Sequence, residues 1–384
     1  MAEIYLDNNA TTRLLPEVRD AMCRSLEECW GNPSSPHGVG EQARERVEQA
    51  REAVASLVGA EPEEIVFTSG GTEANNLVLF GAIEHLEVKR LVTSAVEHAS
   101  VLQAARALEQ RGVDVVVVPV DREGRVEIGA IERSLAIGPA LVSVQWVNNV
   151  TGVVQPVEEV ARLCRRRGAR FHVDAAQAVG KVAAHVGDLD FDYLTFTAHK
   201  FHGPKGVGAL WRRKGAPLRP LFFGGEQEYR LRPGTENTIG IVGFGVAAAL
   251  RKRRVGDVVG RMRRLRDRFE KRLCSLIDRL EVISSDAERC CNTSCVRFCG
   301  VDGQALRVQL EARGVYCSQR SACSDARPAP SHVFGALGLS EREAYECLRF
   351  SLSEETTEVE IEAAARRIAD AWSCVREGMQ RLVG

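Results

Sequence analysis

Four groups of residues in this sequence have side chains or backbone suited to catalysis, and each follows a short run of β-forming residues. Lys200 follows "FDYLTFT", Asp174 ends "RFHVD", and His98 follows "RLVTSAV". The fourth group, "SGGTEANN", follows "EIVFT" and offers free backbone N–H groups and the Thr72 hydroxyl at a predicted helix start, which suits a phosphate. Singly, a strand-end aspartate often caps a helix and an isolated histidine often belongs to the core. The combination predicts a single site.

Pyridoxal phosphate is a cofactor that needs these four groups together. It needs a phosphate cup, a lysine for its Schiff base, a flat group stacked on the ring, and an anion that keeps the ring nitrogen protonated. We therefore predict that Lys200 carries the cofactor, with Thr197 and His199 as further phosphate donors. The alternative, a surface lysine in a loop, leaves the small and aromatic residues around Lys200 unexplained.

The elements that must position these groups alternate along the chain. Short β-branched runs, mostly separated by segments of helical periodicity, predict a largely parallel sheet covered on both faces. These runs lie at residues 64–68, 90–94, 113–120, 140–145, 170–174, 191–197 and 207–211. Ligands of such sheets collect at the carboxyl ends of the strands. From about residue 243 an arginine-rich helical region, the strand-like "NTSCVRF" and a helix near 358–378 predict a second, smaller domain.

The bulk composition limits the class of protein. The chain has 384 residues, of which 45% are hydrophobic, and this length suits about two domains. A net charge of −1 gives no general attraction to nucleic acid or membranes. The start resembles no signal peptide and no run of about 18 apolar residues occurs. Twelve cysteines are too few for a disulfide scaffold. We expect a cytoplasmic protein without membrane or direct nucleic-acid partners.

The sequence resembles the cysteine desulfurases, pyridoxal-phosphate enzymes of the class V aminotransferase group with a type I fold. The resemblance runs nearly from end to end. It is carried by "YLDNNATT", "GNPSSPH", "VFTSGGTEANN", "EHASV", "VNNVTG", "HVDAAQAVGK", "TAHKFHGPKGVGAL", "RPGTEN", "SACS" and "LRFSL". It implies an α/β fold whose large domain (16–250) contains a mostly parallel seven-stranded sheet. A smaller α+β domain (1–15 and 251–384) then carries the catalytic cysteine loop.

The resemblance also implies roles for individual residues. Lys200 forms the Schiff base, Asp174 pairs with the pyridine nitrogen, Gln177 hydrogen-bonds the ring hydroxyl, and His98 stacks on the ring and exchanges protons with substrate. The phosphate is held by Gly71, Thr72, Thr197 and His199, and by Thr235 from the second subunit of a homodimer.

Substrate binding and sulfur transfer involve three further residues by the same resemblance. Arg349 binds the substrate carboxylate with Asn149 beside it, a task that suits a planar guanidinium. Cys323 takes the sulfur of L-cysteine as a persulfide, leaving L-alanine, and passes it to a protein acceptor such as an iron–sulfur scaffold or a tRNA thiolation partner. The long loop after Cys323 resembles that of the subgroup that serves iron–sulfur cluster assembly and tRNA thiolation.

Other functions remain open at this stage. A selenocysteine lyase or a class V transaminase has the same fold, and a catalytically silent sulfur-transfer scaffold belongs to a different class of protein. The presence of both Lys200 and Cys323 argues against the transaminase and the scaffold, but does not separate cysteine from selenocysteine.

Some features depart from the family pattern or suggest additional sites. Val150 stands where the family usually has an acidic residue, and Gln319 and Arg320 stand where it usually has small ones. In "CCNTSCVRFCG", Cys291, Cys295 and Cys299 are expected on one face of a strand, with zinc binding as the less favoured interpretation. The helix over 251–272 has 11 Lys or Arg and three acids. We interpret its basic side chains as a solvent-exposed helix face, and the alternative is that an acidic sulfur acceptor docks on them.

Overall fold

The computed structural model describes residues 2–85, 89–182, 185–319 and 330–383. Cys323 and Arg320 therefore lie outside the described residues. The described strands are β1 (Ile4–Tyr5), β2 (Ile65–Thr68), β3 (Arg90–Ser94), β4 (Asp114–Val118), β5 (Leu141–Gln145), β6 (Arg170–Asp174), β7 (Tyr193–Thr197), β8 (Gly208–Arg212), β9 (Leu280–Val282), β10 (Thr293–Phe298), β11 (Val315–Tyr316) and β12 (Cys347–Ser351).

The α-helices of the described residues lie between and after these strands. They are α1 (Pro16–Glu28), α2 (Gly38–Val58), α3 (Gly71–His85), α4 (Ala99–Glu109), α5 (Ile128–Leu135), α6 (Val157–Arg167), α7 (Thr238–Leu276), α8 (Gly303–Glu311), α9 (His332–Ala336), α10 (Glu341–Tyr345) and α11 (Glu358–Val383). None of them is both long enough and apolar enough to cross a membrane, as far as the described residues show.

The seven runs of β-forming residues all become strands of one sheet. Its order is β2-β8-β7-β6-β5-β3-β4, and β8 is antiparallel to both of its neighbours while the other strands run parallel. The central strands β5 and β7 are buried along their whole length, as expected for a sheet covered on both faces. The predicted α/β class with a mostly parallel seven-stranded sheet is confirmed.

The parallel strands place their carboxyl ends along one edge of this sheet. β2 leads into the start of α3 at Gly71, β3 into His98, and β5 into Asn149, while β6 ends at Asp174 and β7 leads into Lys200. Residues that are far apart in sequence therefore meet at a single edge.

The later part of the chain forms a second hydrophobic cluster. The antiparallel sheet β12-β10-β9 packs with α8, α11 and the second half of α7 around Phe269, Phe298 and Phe350. Helix α7 runs without a break through residue 250. The proposed division into 16–250 on one side, and 1–15 with 251–384 on the other, stays a prediction.

The cysteine-rich segment differs from its predicted form. Only Cys295 lies within β10, whereas Cys291 precedes the strand and Cys299 follows it, so the expectation of one strand face was wrong for two of the three residues. The strand is shorter than the cysteine spacing because the chain turns at residues 291–292 and again at 299–300. In the described ranges, no group of three or more His, Cys, Asp and Glu side chains is placed to hold a metal ion.

The basic helix α7 is partly neutralised from within the described part of the chain, where five of the 11 basic residues of 251–272 form ion pairs. Arg254 pairs with Glu17, and Arg268 pairs with both Glu358 and Glu362 of α11. These exposed pairs contribute little stability individually, but they reduce the net positive charge of the helix surface. The structure therefore gives less support to an acidic docking partner than the sequence count suggests.

Candidate active site

Ten of the predicted site residues line one cavity of about 180 Å³ at the carboxyl edge of the large sheet. They are Gly71, Thr72, His98, Asn149, Asp174, Gln177, Thr197, His199, Lys200 and Arg349. The cavity also contains residues that the sequence argument did not single out, namely Asn9, Ala10, Asn75, Ser100, Gln145, Val147 and Ala176.

Lys200 lies in the turn after β7, and its amine contacts the N-terminal segment of the chain. Its Nζ donates to the carbonyl oxygens of Asn9 at 2.6 Å and Ala10 at 2.9 Å. The side chain is half-buried and lines the cavity. An amine held here by two backbone carbonyls is in place to react with a carbonyl group in the cavity.

Asp174 provides a buried carboxylate at the end of β6. It is 6% exposed, and its two oxygens accept hydrogen bonds from Asn75 Nδ2 at 2.8 Å and from the Ala176 backbone N–H at 3.0 Å. Hydrogen bonds to the ionised form favour a negative charge at a buried site. This end of the cavity therefore suits a cationic or N–H-bearing ligand atom.

A polar chain continues from Asp174 into the core of the sheet. Asn75 Oδ1 accepts a hydrogen bond from the Thr195 hydroxyl, which lies 3.2 Å from His172 Nε2. The other ring nitrogen of His172 lies 2.9 Å from the Ser143 hydroxyl. Burial lowers the pKa of His172 to about 4, so that its imidazole is neutral at neutral pH. A network whose members are mutually satisfied makes a rigid support.

His98 is held at the start of α4 by its own capping interactions. The Ser100 backbone N–H donates to its Nδ1 at 3.1 Å, which leaves the neutral ring protonated on Nε2. Burial lowers the pKa of His98; the Asp174 carboxylate opposes this shift, while Lys200 adds to it. The ring is thus neutral and fixed in orientation on the cavity wall.

The part of the cavity wall at the start of α3 is suited to an anion. Helix α3 begins at Gly71, so the first N–H groups of the helix and the Thr72 hydroxyl are available there. Gly208 in β8 permits the close approach of the turn that precedes α3, because a Cβ at position 208 would lie 2.7 Å from the Gly70 Cα. Burial and nearby lysines lower the pKa of His199 to about 3, so this ring is a neutral hydrogen-bonding group beside the anion site.

Arg349 projects from β12 of the small sheet and is 2% exposed. One terminal nitrogen donates to the Asn149 carbonyl at 2.9 Å, and the other donates to Asp7 Oδ1 at 2.6 Å. Within the described part of the chain, its Nε–H has no acceptor. A buried donor without an acceptor is costly, so the guanidinium is incompletely partnered in this structure.

The chain matches the model of the aminotransferase class V family over residues 4–364. It is 47% identical over 365 residues to a cysteine desulfurase of Cereibacter sphaeroides, with 94% of each chain covered. The chain belongs to the cysteine desulfurase family. A solved NifS-like protein superposes with a TM-score of 0.91 at 36% identity, covering 97% of this chain and all of the other. The structure of SspA in complex with cysteine superposes with a TM-score of 0.81 at 34% identity, covering 92% of this chain and 100% of that chain.

These matches confirm the predicted class V enzyme of the cysteine desulfurase type. Of the other two predicted site residues, only Thr235 belongs to the described part of the chain. Thr235 is exposed in the loop before α7 and does not line the cavity of this single chain. Cys323 falls outside the described residues. The roles assigned to these and to the cavity residues stay predictions.

Two departures from the family pattern have a structural explanation. Val150 is 2% exposed and packs in a hydrophobic cluster with Val120, Ile283 and Cys295, so an apolar side chain fits where the family usually has an acid. Gln319 is buried, and its amide donates to the Tyr345 carbonyl at 2.8 Å. Val150 therefore serves in packing, and Gln319 in a buried hydrogen bond.

The sequence argument missed Asn75 and the carbonyl of Asn9. Asn75 lies one helical turn into α3 and reaches Asp174, which is 99 residues further along the chain. The available signal was the asparagine pair of "EANN", since an amide on the buried face of a helix needs a polar partner.

Proposed function

We propose that this chain binds pyridoxal phosphate in the cavity and converts L-cysteine to L-alanine, with the sulfur passing to Cys323 as a persulfide and then to a protein acceptor. The observation that carries the proposal is the placement of Lys200, Asp174, the start of α3 and Arg349 around one cavity. The cofactor, when bound, supplies an electron sink for the bonds at the substrate Cα.

The residues present fit this cofactor. A carboxylate with satisfied oxygens suits the protonated ring nitrogen, and a helix start suits the phosphate. The Lys200 amine and the neutral His98 ring line the same cavity. Each group that the cofactor needs is thus supplied by a different strand end.

The chain's own residues then divide the work. Arg349 orients the substrate by its carboxylate, and the Lys200 amine accepts and returns the proton at the substrate Cα. Cys323 attacks as a thiolate, so that a new S–S bond forms while the C–S bond of the substrate breaks. Protonation at the substrate carbon that has lost its sulfur then releases L-alanine.

Attachment of the cofactor is tested with Lys200→Ala. We expect this variant to lose covalent attachment and turnover, while borohydride reduction of the wild type places the cofactor on the Lys200 peptide. An adduct that maps to a different lysine refutes the assignment.

Sulfur transfer is tested with Cys323→Ser, because a hydroxyl is too weakly acidic to take sulfur at neutral pH. We expect cofactor binding to be kept and alanine production to fall on the order of 10²-fold or more, equivalent to roughly 3 kcal/mol. Cys317→Ser is the matched control, since burial raises the pKa of the Cys317 thiol to about 12.

The persulfide itself is measured by mass. A brief pulse of L-cysteine adds about 32 Da to the wild-type peptide that contains Cys323, and dithiothreitol removes it. Unchanged alanine production by Cys323→Ser, or extra sulfur on Cys317, contradicts the nucleophile assignment and favours a direct lyase. A protein acceptor such as an iron–sulfur scaffold is expected to remove the same mass.

We also propose a cytoplasmic homodimer in which Thr235 of one chain reaches the phosphate site of the other. Thr235 is exposed and does not line the cavity of the single chain, which is compatible with a role across a subunit boundary. A monomer by sedimentation that binds one cofactor per chain and turns over cysteine contradicts this proposal.

A further inference from the structure

A second lysine, Lys181, is buried beside the cavity and has no assigned task. It is 5% exposed, and burial lowers its pKa. Its Nζ donates to Gln177 Oε1 at 2.7 Å. Burying a lysine amine costs free energy unless the amine is hydrogen-bonded or paired with an opposite charge. The position of its partner on the cavity wall suggests the task of Lys181.

The contacts of Gln177 fix which end of its amide faces which neighbour. A lysine ammonium can only donate, and its Nζ donates to the amide oxygen, so the oxygen faces Lys181. The Asn9 carbonyl only accepts, so the amide nitrogen, 2.9 Å away, must face Asn9. The two contacts select the same orientation. The second proton of the amide nitrogen then remains for a ligand in the cavity.

The Asn9 carbonyl links this arrangement to Lys200. It accepts from Gln177 Nε2 and from Lys200 Nζ, at 2.9 and 2.6 Å. Lys181, Gln177, Asn9 and Lys200 therefore form a continuous hydrogen-bonded path. Without the donor at Lys181, only the Asn9 carbonyl opposes rotation of the Gln177 amide by 180°, which would turn a carbonyl oxygen towards the cavity.

We propose that Lys181 is a positioning residue that holds the Gln177 amide so that the cavity receives an N–H donor and not a carbonyl acceptor. The inference rests on the proposed cofactor, whose ring oxygen is the group that this donor meets. A donor stabilises the anionic form of that oxygen. It therefore lowers the pH at which the bound cofactor loses a proton and changes its visible absorption.

Other charged and titratable groups near Lys181 offer a competing explanation. Arg251 and Arg349 act on it as cations, and Cys290 and Cys291 as thiols. The Cys291 thiol lies 3.8 Å from the Lys181 carbonyl oxygen, and a hydrogen bond with Cys291, together with the nearby Lys181 cation, lowers the pKa of Cys290. A direct charge effect of Lys181 on the cofactor would not need Gln177.

A double-mutant cycle separates the two explanations. The absorption of the bound cofactor is titrated with pH in the wild type, Lys181→Met, Gln177→Ala and the double variant. We expect Lys181→Met to raise the pKa of the bound cofactor by about one unit, a tenfold change in proton affinity, because the oriented donor is lost. In the Gln177→Ala background the same substitution is expected to have less than about a third of this effect. An equal shift in both backgrounds overturns the proposal in favour of a direct charge effect.

Two further variants keep the test decisive if Lys181→Met does not fold. In Gln177→Glu the new side chain still accepts a hydrogen bond from Lys181 but offers no N–H group. We therefore expect this variant to raise the pKa of the bound cofactor. An unchanged titration overturns the proposal. Cys291→Ala removes the neighbouring thiol, and no shift is expected; a shift as large as that of Gln177→Glu overturns the assignment to the amide. If the wild type itself binds no pyridoxal phosphate, the proposed function fails, which is distinct from failure of this inference.

Discussion

Two parts of the cavity wall, the Asp174 end and the Arg349 end, differ in how completely their charged groups are partnered. Both oxygens of Asp174 accept hydrogen bonds from the protein, and Asn75 behind them is held by Thr195. Arg349 shares its guanidinium with Asp7, and its Nε–H has no acceptor among the described residues. The Asp174 end is thus organised in advance, whereas we expect the Arg349 end to be completed only when a ligand binds. We expect changes at the first to act on catalysis and changes at the second to act on substrate affinity.

The largest effect is expected from Asp174→Asn, which keeps the size of the side chain and removes its charge. Without the anion the ring nitrogen of the cofactor is no longer kept protonated, so we expect kcat to fall on the order of 10³-fold, about 4 kcal/mol. The KM for L-cysteine should change little. Steady-state alanine production measures both constants. A raised KM with an unchanged kcat would remove the distinction between the two ends.

Arg349→Lys is expected to act in the opposite way. A lysine keeps the positive charge but loses the planar pair of donors that matches a carboxylate. We expect the KM for L-cysteine to rise 10- to 100-fold, about 1.4–2.7 kcal/mol, while the absorption of the bound cofactor stays unchanged. A changed absorption spectrum would show that Arg349 also supports the cofactor.

The difference between the two ends also explains what the sequence could and could not predict. Asp174, His98 and Lys200 follow strands whose pattern is readable, and parallel strands bring their carboxyl ends together. Arg349 follows no such rule, because it comes from a separate small sheet. Only the resemblance to cysteine desulfurases indicated its role.

Contacts that depend on packing between distant segments were not predictable. The carbonyl of Asn9 is a backbone group, and its approach to Lys200 depends on how residues 8–10 cross the cavity. The bounds of the short strand β10 could not be predicted from the sequence either. Cysteines suit strand, turn and core alike, so their spacing did not reveal where the strand begins and ends.

Asn75→Ala tests the organised end without touching its charge. The substitution removes one donor from Asp174 and leaves the Thr195 hydroxyl without its acceptor, which should lower the free energy of unfolding by about 1–3 kcal/mol. We expect kcat to fall roughly tenfold, because the carboxylate is held less firmly. Asn76→Ala is the matched control, since the Asn76 amide donates to the Thr72 carbonyl and does not reach Asp174. Equal losses in both variants would mean that the effect comes from α3 as a whole.

The smallest effect is expected from Asp7→Asn at the other end. Asp7 is the anion that Arg349 contacts in this structure, with the Arg349 side chain 2% exposed and that of Asp7 18% exposed. A substrate carboxylate must share the guanidinium with Asp7, so a neutral side chain at this position should lower the KM for L-cysteine about 2- to 5-fold, less than about 1 kcal/mol. The same change leaves a buried cation less well compensated, so thermal unfolding should occur at a lower temperature. If KM rises instead, as expected for Arg349→Lys, Asp7 orients the guanidinium, and the Arg349 end is organised in advance as well.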